Sequence, residues 1–232
     1  VRNERQEYWN EGVLRKRCIS IIPIVFMFFQ TAHGQILDTI SASFHTRPRL
    51  FFQLDAYNSF VADKGANTFG YKGGIEFNNR VKMGFGYYKL ISDIIKPLDL
   101  TYDGKDTTQN AELEMSFYSV SFEYIFYNKD PWQLSVPFNL GFGKSYFWYY
   151  TSNTSGGYDK EQTDKQGVSL ITLNADLQYK IIKWVGVGGG LGFRLMLKDN
   201  SNISENFNSV IYSLQVRIFV DEIYKSLFVK QE

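Results

Sequence analysis

Beyond Pro48 the chain carries eight runs in which apolar and polar residues alternate, each about as long as the 9–11 residues with which a tilted strand crosses a bilayer. They cover 50–60, 68–78, 81–90, 112–127, 132–149, 169–181, 185–197 and 210–221. In the sixth, Ile171, Leu173, Ala175, Leu177, Tyr179 and Ile181 share one face, while Thr172, Asn174, Asp176, Gln178 and Lys180 share the other. A helix repeats every 3.6 residues and cannot produce that pattern. The eighth run behaves alike, with Val210, Tyr212, Leu214, Val216, Ile218 and Val220 opposite Ser213, Gln215, Arg217 and Asp221. The fourth is irregular, its apolar set shifting from Leu113, Met115 and Phe117 to Val120, Phe122, Tyr124 and Phe126. A bulge near Ser119, or an upper half lying outside a membrane, would account for the shift.

The connections sort by length. Residues 79–80, 128–131 and 182–184 read as tight turns, whereas 61–67, 91–111, 150–168 and 198–209 are longer and rich in Asp, Asn, Ser, Thr and Gly. Four long loops therefore leave one end and three turns the other, as in transmembrane barrels with short turns on one side and long loops on the opposite side. A soluble sandwich has no reason to sort its connections this way.

Alternation does not say which face is inside, but volume does. An eight-stranded barrel has a bore barely wide enough for its own side chains. The apolar face includes Phe77, Phe85, Phe122, Phe126, Phe138, Phe142, Phe193, Leu134, Leu140, Leu177 and Leu191, too bulky a set to share that bore. The opposite face carries Gly74, Gly84, Gly86, Gly141, Gly143, Gly186, Gly188, Gly190 and Gly192 with polar residues between them. The apolar face is therefore placed outward, where only lipid tolerates it, and closure of the barrel pairs every backbone group. Aromatic residues make up 17% of the chain, and those at 87–88, 124–127, 132, 146–150 and 184 are placed in interfacial girdles near strand ends.

The first residues fit export. Arg15, Lys16 and Arg17 precede an apolar run over 19–29, and Ala32-His33-Gly34 forms a cleavage pattern before Gln35. The run is about half of the roughly 20 residues a spanning helix needs. Residues 15–34 are read as a cleavable signal peptide and 1–14 as an over-extended start. Residues 35–49 are then a periplasmic N-terminal segment, 50–221 the barrel and 222–232 a periplasmic tail. Cys18, the only cysteine, precedes the apolar run, so neither a lipid anchor nor thiol chemistry is expected of the mature chain.

On these runs and this leader the chain resembles the small outer-membrane barrels of the OmpA/OmpX type, and its signal is similar to those of many Bacteroidota outer-membrane proteins. The likeness covers roughly residues 50–221 and is architectural. It implies an all-β, eight-stranded antiparallel up-and-down transmembrane barrel in a Gram-negative outer membrane, both termini periplasmic. Members commonly end on an aromatic residue of the last strand, whereas this chain continues from Val220 to Glu232.

Chemistry is sparse. Enzymes among such barrels use a histidine with a serine or acidic partner, and the mature chain retains only His45, before the first strand and on the wrong side for the loops where such sites sit. Gly143-Lys144-Ser145 lacks the glycine five positions upstream that a phosphate loop needs, and Leu191 breaks the dinucleotide spacing of the glycine run over 186–192. Asp99, Asp103 and Asp106 with Gly104 do not match a calcium loop, and Asn153-Thr154-Ser155 and Asn202-Ile203-Ser204 are chance glycosylation triplets in a bacterial protein. Near-neutral charge, 25 basic against 24 acidic residues, gives no field for nucleic acid. No metal or other cofactor is expected.

The inward face is more informative. It collects Lys72, Glu76, Lys82, Glu123, Asp176, Lys180, Arg194 and Arg217, charges too closely confined to stay unpaired cheaply. Paired, they plug the barrel; unpaired, they line a thin polar channel. The expected function is a non-enzymatic barrel in contact with outer-membrane lipid, structural or binding a protein partner through its loops or within a larger assembly. A small porin-like channel and a lipid-modifying enzyme are the alternatives.

Overall fold

The computed structural model describes residues 36–61, 64–102, 105–152, 158–198 and 208–228. Residues 1–35, and with them the expected leader and Cys18, lie outside the described residues. The chain divides into two units, one ending at Thr46 and the other beginning at Arg47. In the first, a short helix over 36–43 (α1) closes with Ser43 Oγ donating to Thr39 O (2.6 Å) and Thr46 Oγ1 to Ser43 O (2.7 Å). His45 is exposed, its Nδ1 3.0 Å from Ser41 O.

The second unit is a closed antiparallel sheet. Its strands are β1 (Arg49–Val61), β2 (Lys64–Phe77), β3 (Val81–Leu90), β4 (Ile94–Tyr102), β5 (Lys105–Lys129), β6 (Trp132–Ser152), β7 (Tyr158–Gln162), β8 (Gln166–Ile182), β9 (Val185–Lys198) and β10 (Ser209–Ile218). β1, β2, β3, β5, β6, β8, β9 and β10 form a ring of eight, which the β10–β1 pairing closes, Leu54 opposite Val216. The eight alternating runs are these eight strands.

Two stretches expected as loops are partly strand. β4 takes over from β3 along β5, from Ile94 opposite Leu113 to Tyr102 opposite Lys105, and β7 takes over from β8 along β6, from Trp148 opposite Gln162 to Ser152 opposite Tyr158. Polar composition suggested loops, yet Ile94 of β4 is buried in the apolar core with Leu98 packed against it, which anchors that hairpin, while β7 pairs as an exposed polar strand. The last strand stops at Ile218 instead of running to Asp221, and a helix, α2 (Val220–Phe228), follows. Asp221 and Glu222 in its first turn and Lys225 in its last complement the helix dipole.

The irregular fourth run is also resolved. Odd-numbered residues from Ala111 to Ile125 all face inward, with no bulge at Ser119, and the register shift comes later, between Ile125 and Tyr127. The apolar set changes parity because the bore itself is apolar beside Leu113, Met115 and Phe117. Turn chemistry fixes the first short connection: Asn78 and Asn79 have φ of 51° and 52°, and Arg80 N donates to Phe77 O (2.9 Å), a turn whose twist matches its strands.

The outer face is apolar over 69–77 in β2, 118–126 in β5, 134–142 in β6 and 171–181 in β8. Each span is about the 9–11 residues of a membrane crossing. Lys89, Glu114 and Lys144 stand beyond this belt on the loop side. Trp132 and Tyr179, ring centroids 4.8 Å apart, and Trp184 mark its turn side. Tyr88 does not join a girdle as expected: it is buried inside the bore, as is Phe147.

Candidate functional site

Inward side chains fill the bore in two layers of different chemistry. Toward the turn end lies a charged network that reaches across the bore, from β3 and β5 to β10. Glu123 of β5 receives Lys82 Nζ of β3 (3.0 Å) and Arg217 Nη2 of β10 (3.1 Å). Lys82 also donates to Gln133 Oε1 (2.8 Å) and sits 3.7 Å from Glu76. Arg217 donates further to Gln53 Oε1 (2.8 Å), Gln133 Oε1 (2.6 Å) and Gln178 Oε1, and its guanidinium lies 6.0 Å from the Phe51 ring centre. Five strands thus meet on one arginine. Pairing offsets the hydration that charges this deep lose on burial.

Above it, Asp55 accepts hydrogen bonds from the Tyr88 hydroxyl (2.7 Å) and from Gln53 Nε2, with Lys72 Nζ 3.8 Å away. Gln215 Nε2 donates to Asp176 Oδ2 (2.7 Å), and Gln53 Nε2 to Gln215 Oε1 (2.7 Å), which joins this group to Arg217. Inward glycines make room. Any Cβ at Gly190 would strike Asp176 Oδ1, and one at Gly86 would lie 2.8 Å from the Tyr88 ring and 2.9 Å from Lys72 Cβ.

The layer toward the loop end is apolar. Tyr57, Tyr88, Leu90, Leu113, Met115, Phe117, Phe147, Val168, Leu170 and Ile211 pack together, with Tyr88 stacked on Phe117 at 5.3 Å. Alternation hid this layer, because it assigns one character to each face along the whole strand.

Of the eight inward charges named from sequence, Glu76, Lys82, Glu123 and Arg217 form one cluster, while Lys72 and Asp176 stand in the group above it. Lys180 is not in the network. It sits at the turn-end mouth with its Nζ 5.4 Å from the Phe219 ring centre. It helps line a cavity of about 250 Å³ with Arg49, Glu76, Asp130, Asp221 and Glu222. Arg194 stands apart, 1% exposed, none of its three guanidinium nitrogens hydrogen-bonded among the described residues. Sequence reading passed over Asp55, Gln53 and Gln133, and it put Gln178 and Gln215 on polar faces without joining them to the charged cluster. Asp55 and Gln53 lie on the polar parity of β1, so strict alternation was the signal that would have found them.

Outside the belt, Glu114 ties the rim together. Lys89 Nζ approaches its carboxylate at 2.8 Å and Trp148 Nε1 donates to it at 2.5 Å, while Lys160 Nζ lies 4.4 Å from the Trp148 ring centre. The hydrogen bond from Lys89 holds the Glu114 carboxyl below the usual glutamate range, and that same bond raises Lys89. Tyr149 donates to Glu161 across β6 and β7 (3.1 Å); burial first, then this bond, raises the phenol.

The other sequence candidates gather nothing. Lys144 is exposed and Ser145 buried on opposite faces of β6, so no phosphate loop forms. Asp103, Gly104 and both glycosylation triplets lie wholly or partly outside the described residues, as do the side chains of Asp99 and Asp106. Among the described residues no group of three or more His, Cys, Asp and Glu is placed to hold a metal.

No family model matches the chain, and no curated protein does either. Solved structures do. Neisserial surface protein A overlaps 74% of this chain and 96% of its own at 12% identity and a TM-score of 0.47. A major outer membrane protein from Thermus thermophilus overlaps 73% and 98%, also at 12% and 0.47. Pseudomonas aeruginosa OprG overlaps 75% and 96% at 6% and 0.45. At such scores the overlap is one of outline and transfers no role. The ring of eight antiparallel strands, its apolar outside and its polar, glycine-relieved inside give this chain, by themselves, the fold of a small eight-stranded transmembrane β-barrel.

Proposed function

We propose that this chain is a non-enzymatic barrel of a Gram-negative outer membrane that binds an external protein partner through the hairpins at its loop end. The observation that carries the reading is the overrun of β5 and β6. β5 has 25 residues and β6 has 21, against the roughly 9–11 that a crossing requires. Residues 105–117 of β5 alone add about 40 Å along the strand at ~3.4 Å per residue, and β4 and β7 stiffen the extension. A protein that served only to fill lipid would not need paired strands there. Short turns at the opposite end suit the periplasmic side, which would place both ends of the barrel unit there.

The filled bore supports binding over transport. A charged layer and an aromatic layer in series leave little room in an eight-stranded lumen. The test combines two measurements on the full chain. Tagged protein extracted from its own outer membrane should retain a stoichiometric partner that is lost when the β6–β7 hairpin is shortened to a tight turn. Planar-bilayer recording should show silence. A lone monomer in every extraction would overturn the partner, and a stable unit conductance would favour a pore.

A further inference from the structure

We infer that α2 is a membrane-surface helix, lying along the leaflet at the turn end of the barrel with its apolar stripe in the acyl boundary. This rests on the barrel being embedded in lipid. Val220, Ile223, Tyr224 and Leu227 recur at the spacing of one helix face, and Asp221, Glu222, Lys225 and Ser226 occupy the other. The polar face is directed at the barrel mouth. Asp221 Oδ2 lies 3.9 Å from Arg49 Nε of β1, Lys225 Nζ reaches Glu222 (3.2 Å) and Asp221 (3.8 Å), and both carboxylates line the mouth cavity with Arg49 and Lys180. The outer part of the apolar stripe is thereby turned away from the lumen, Tyr224 61% and Leu227 69% exposed, while Val220 and Ile223 at its start are half-buried. In a soluble protein that arrangement is inverted, the apolar face being the one that packs.

Position selects lipid as the occupant. Phe219 N, just before the helix, donates to Trp184 O (2.9 Å), so α2 starts at the level of the exposed Trp184 and Trp132. The stripe thus continues the outer belt at the level where the membrane gives way to water. A nine-residue helix offers far less than the roughly 800 Å² per partner of a stable protein interface, whereas an interfacial helix needs only a few apolar side chains on a surface already held against the bilayer.

Spin labels decide the matter. The full chain, with Cys18→Ser, is labelled singly at Leu227→Cys, Ser226→Cys or Leu177→Cys and reconstituted in phosphatidylethanolamine–phosphatidylglycerol vesicles. Collision with oxygen, enriched in lipid, is then compared with collision with a water-soluble nickel chelate. The oxygen-to-nickel ratio at Leu227 should exceed that at Ser226 several-fold and approach that at Leu177 in the belt. A ratio at Leu227 equal to that at Ser226, with Leu177 still lipid-like, would overturn the inference alone. So would low access to both reagents at Leu227, which would mean packing against protein. An aqueous ratio at Leu177 would overturn the embedded barrel and the inference together.

Discussion

Glu123 binds two cations from different strands through one oxygen, its Oε1 standing 3.0 Å from Lys82 Nζ and 3.1 Å from Arg217 Nη2. All three side chains are at most 2% exposed. Removing the carboxylate leaves two buried positive charges without their main counter-charge, so Glu123→Ala should cost roughly 3–5 kcal/mol, the usual penalty for breaking a buried pair. Adding Lys82→Met and Arg217→Met to that background should return much of the loss, because no charge then remains to be compensated. Urea titration in lipid vesicles, followed by heat-modifiable migration on gels, measures both. A triple variant less stable than the single one would show that the network contributes more than charge balance.

Arg194 predicts the reverse. Its guanidinium is as buried as that of Arg217 yet makes no hydrogen bond among the described residues. Arg194→Met keeps most of the volume and removes unmet donors, whose burial costs about 1–3 kcal/mol or more when charged. The variant should unfold at higher urea than the parent, and Arg217→Met at lower urea. Equal losses at the two positions would mean that Arg194 finds a partner in the membrane.

Legibility followed periodicity. Strand pairing, the ring and the outward apolar face were readable because a period of two repeated through eight segments is a long-range signal. In β8, for instance, Leu173, Leu177 and Ile181 are exposed on one face while Thr172, Asn174 and Asp176 are buried on the other. Changes along the barrel axis were not readable. Leu113 and Phe117 looked misplaced until the bore beside them proved apolar, since sequence parity names a face without telling which neighbours fill it. Tyr88 was lost the same way: adjacent to Tyr87, it looked like part of a girdle, yet it faces inward and bonds Asp55. Lys180 has the right parity for the bore, but it lies so near the end of β8 that it reaches the mouth instead. α2 escaped because its stripe is only nine residues long and begins in apolar residues that also fit the end of a strand.

The rim pair makes a prediction about pH. Glu114 titrates below its ordinary value because Lys89 bonds its charged form. A depressed carboxyl contributes its full stabilisation above its unfolded pKa of about 4.3 and loses it as pH falls through the lower folded value. Lys89, raised by the same bond, contributes fully below about 10.4 and loses that contribution as pH rises through its higher folded value. Between those limits the rim should be indifferent to pH. Trp148 reports the acid step, since its indole donates to Glu114. The fluorescence difference between parent and Trp148→Phe should titrate below pH ~4.3, and Glu114→Gln should abolish that step. An unchanged titration in Glu114→Gln would place the responsible group elsewhere.

Sidedness has the sharpest test, in two adjacent residues of β8. Leu177 is 43% exposed on the outer face and stands opposite Gly189, whereas Asp176 is 5% exposed and stands opposite Gly190. Both lie within the same span of the belt, so substitutions compare lipid with lumen at nearly one depth. Leu177→Arg should cost about 2–4 kcal/mol, the penalty for a cation near the bilayer midplane. Asp176→Asn should not impair insertion, because it alters a lumen group whose Oδ2 accepts from Gln215 and whose Oδ1 has no hydrogen-bond donor among the described residues. Its effect should stay within roughly 1.5–3 kcal/mol, the range for a hydrogen bond to a charged group. Folding yield into vesicles separates the two, falling for Leu177→Arg and holding for Asp176→Asn. A harmless Leu177→Arg beside an Asp176→Asn that blocked insertion would put lipid on the other face and make the ring a soluble barrel.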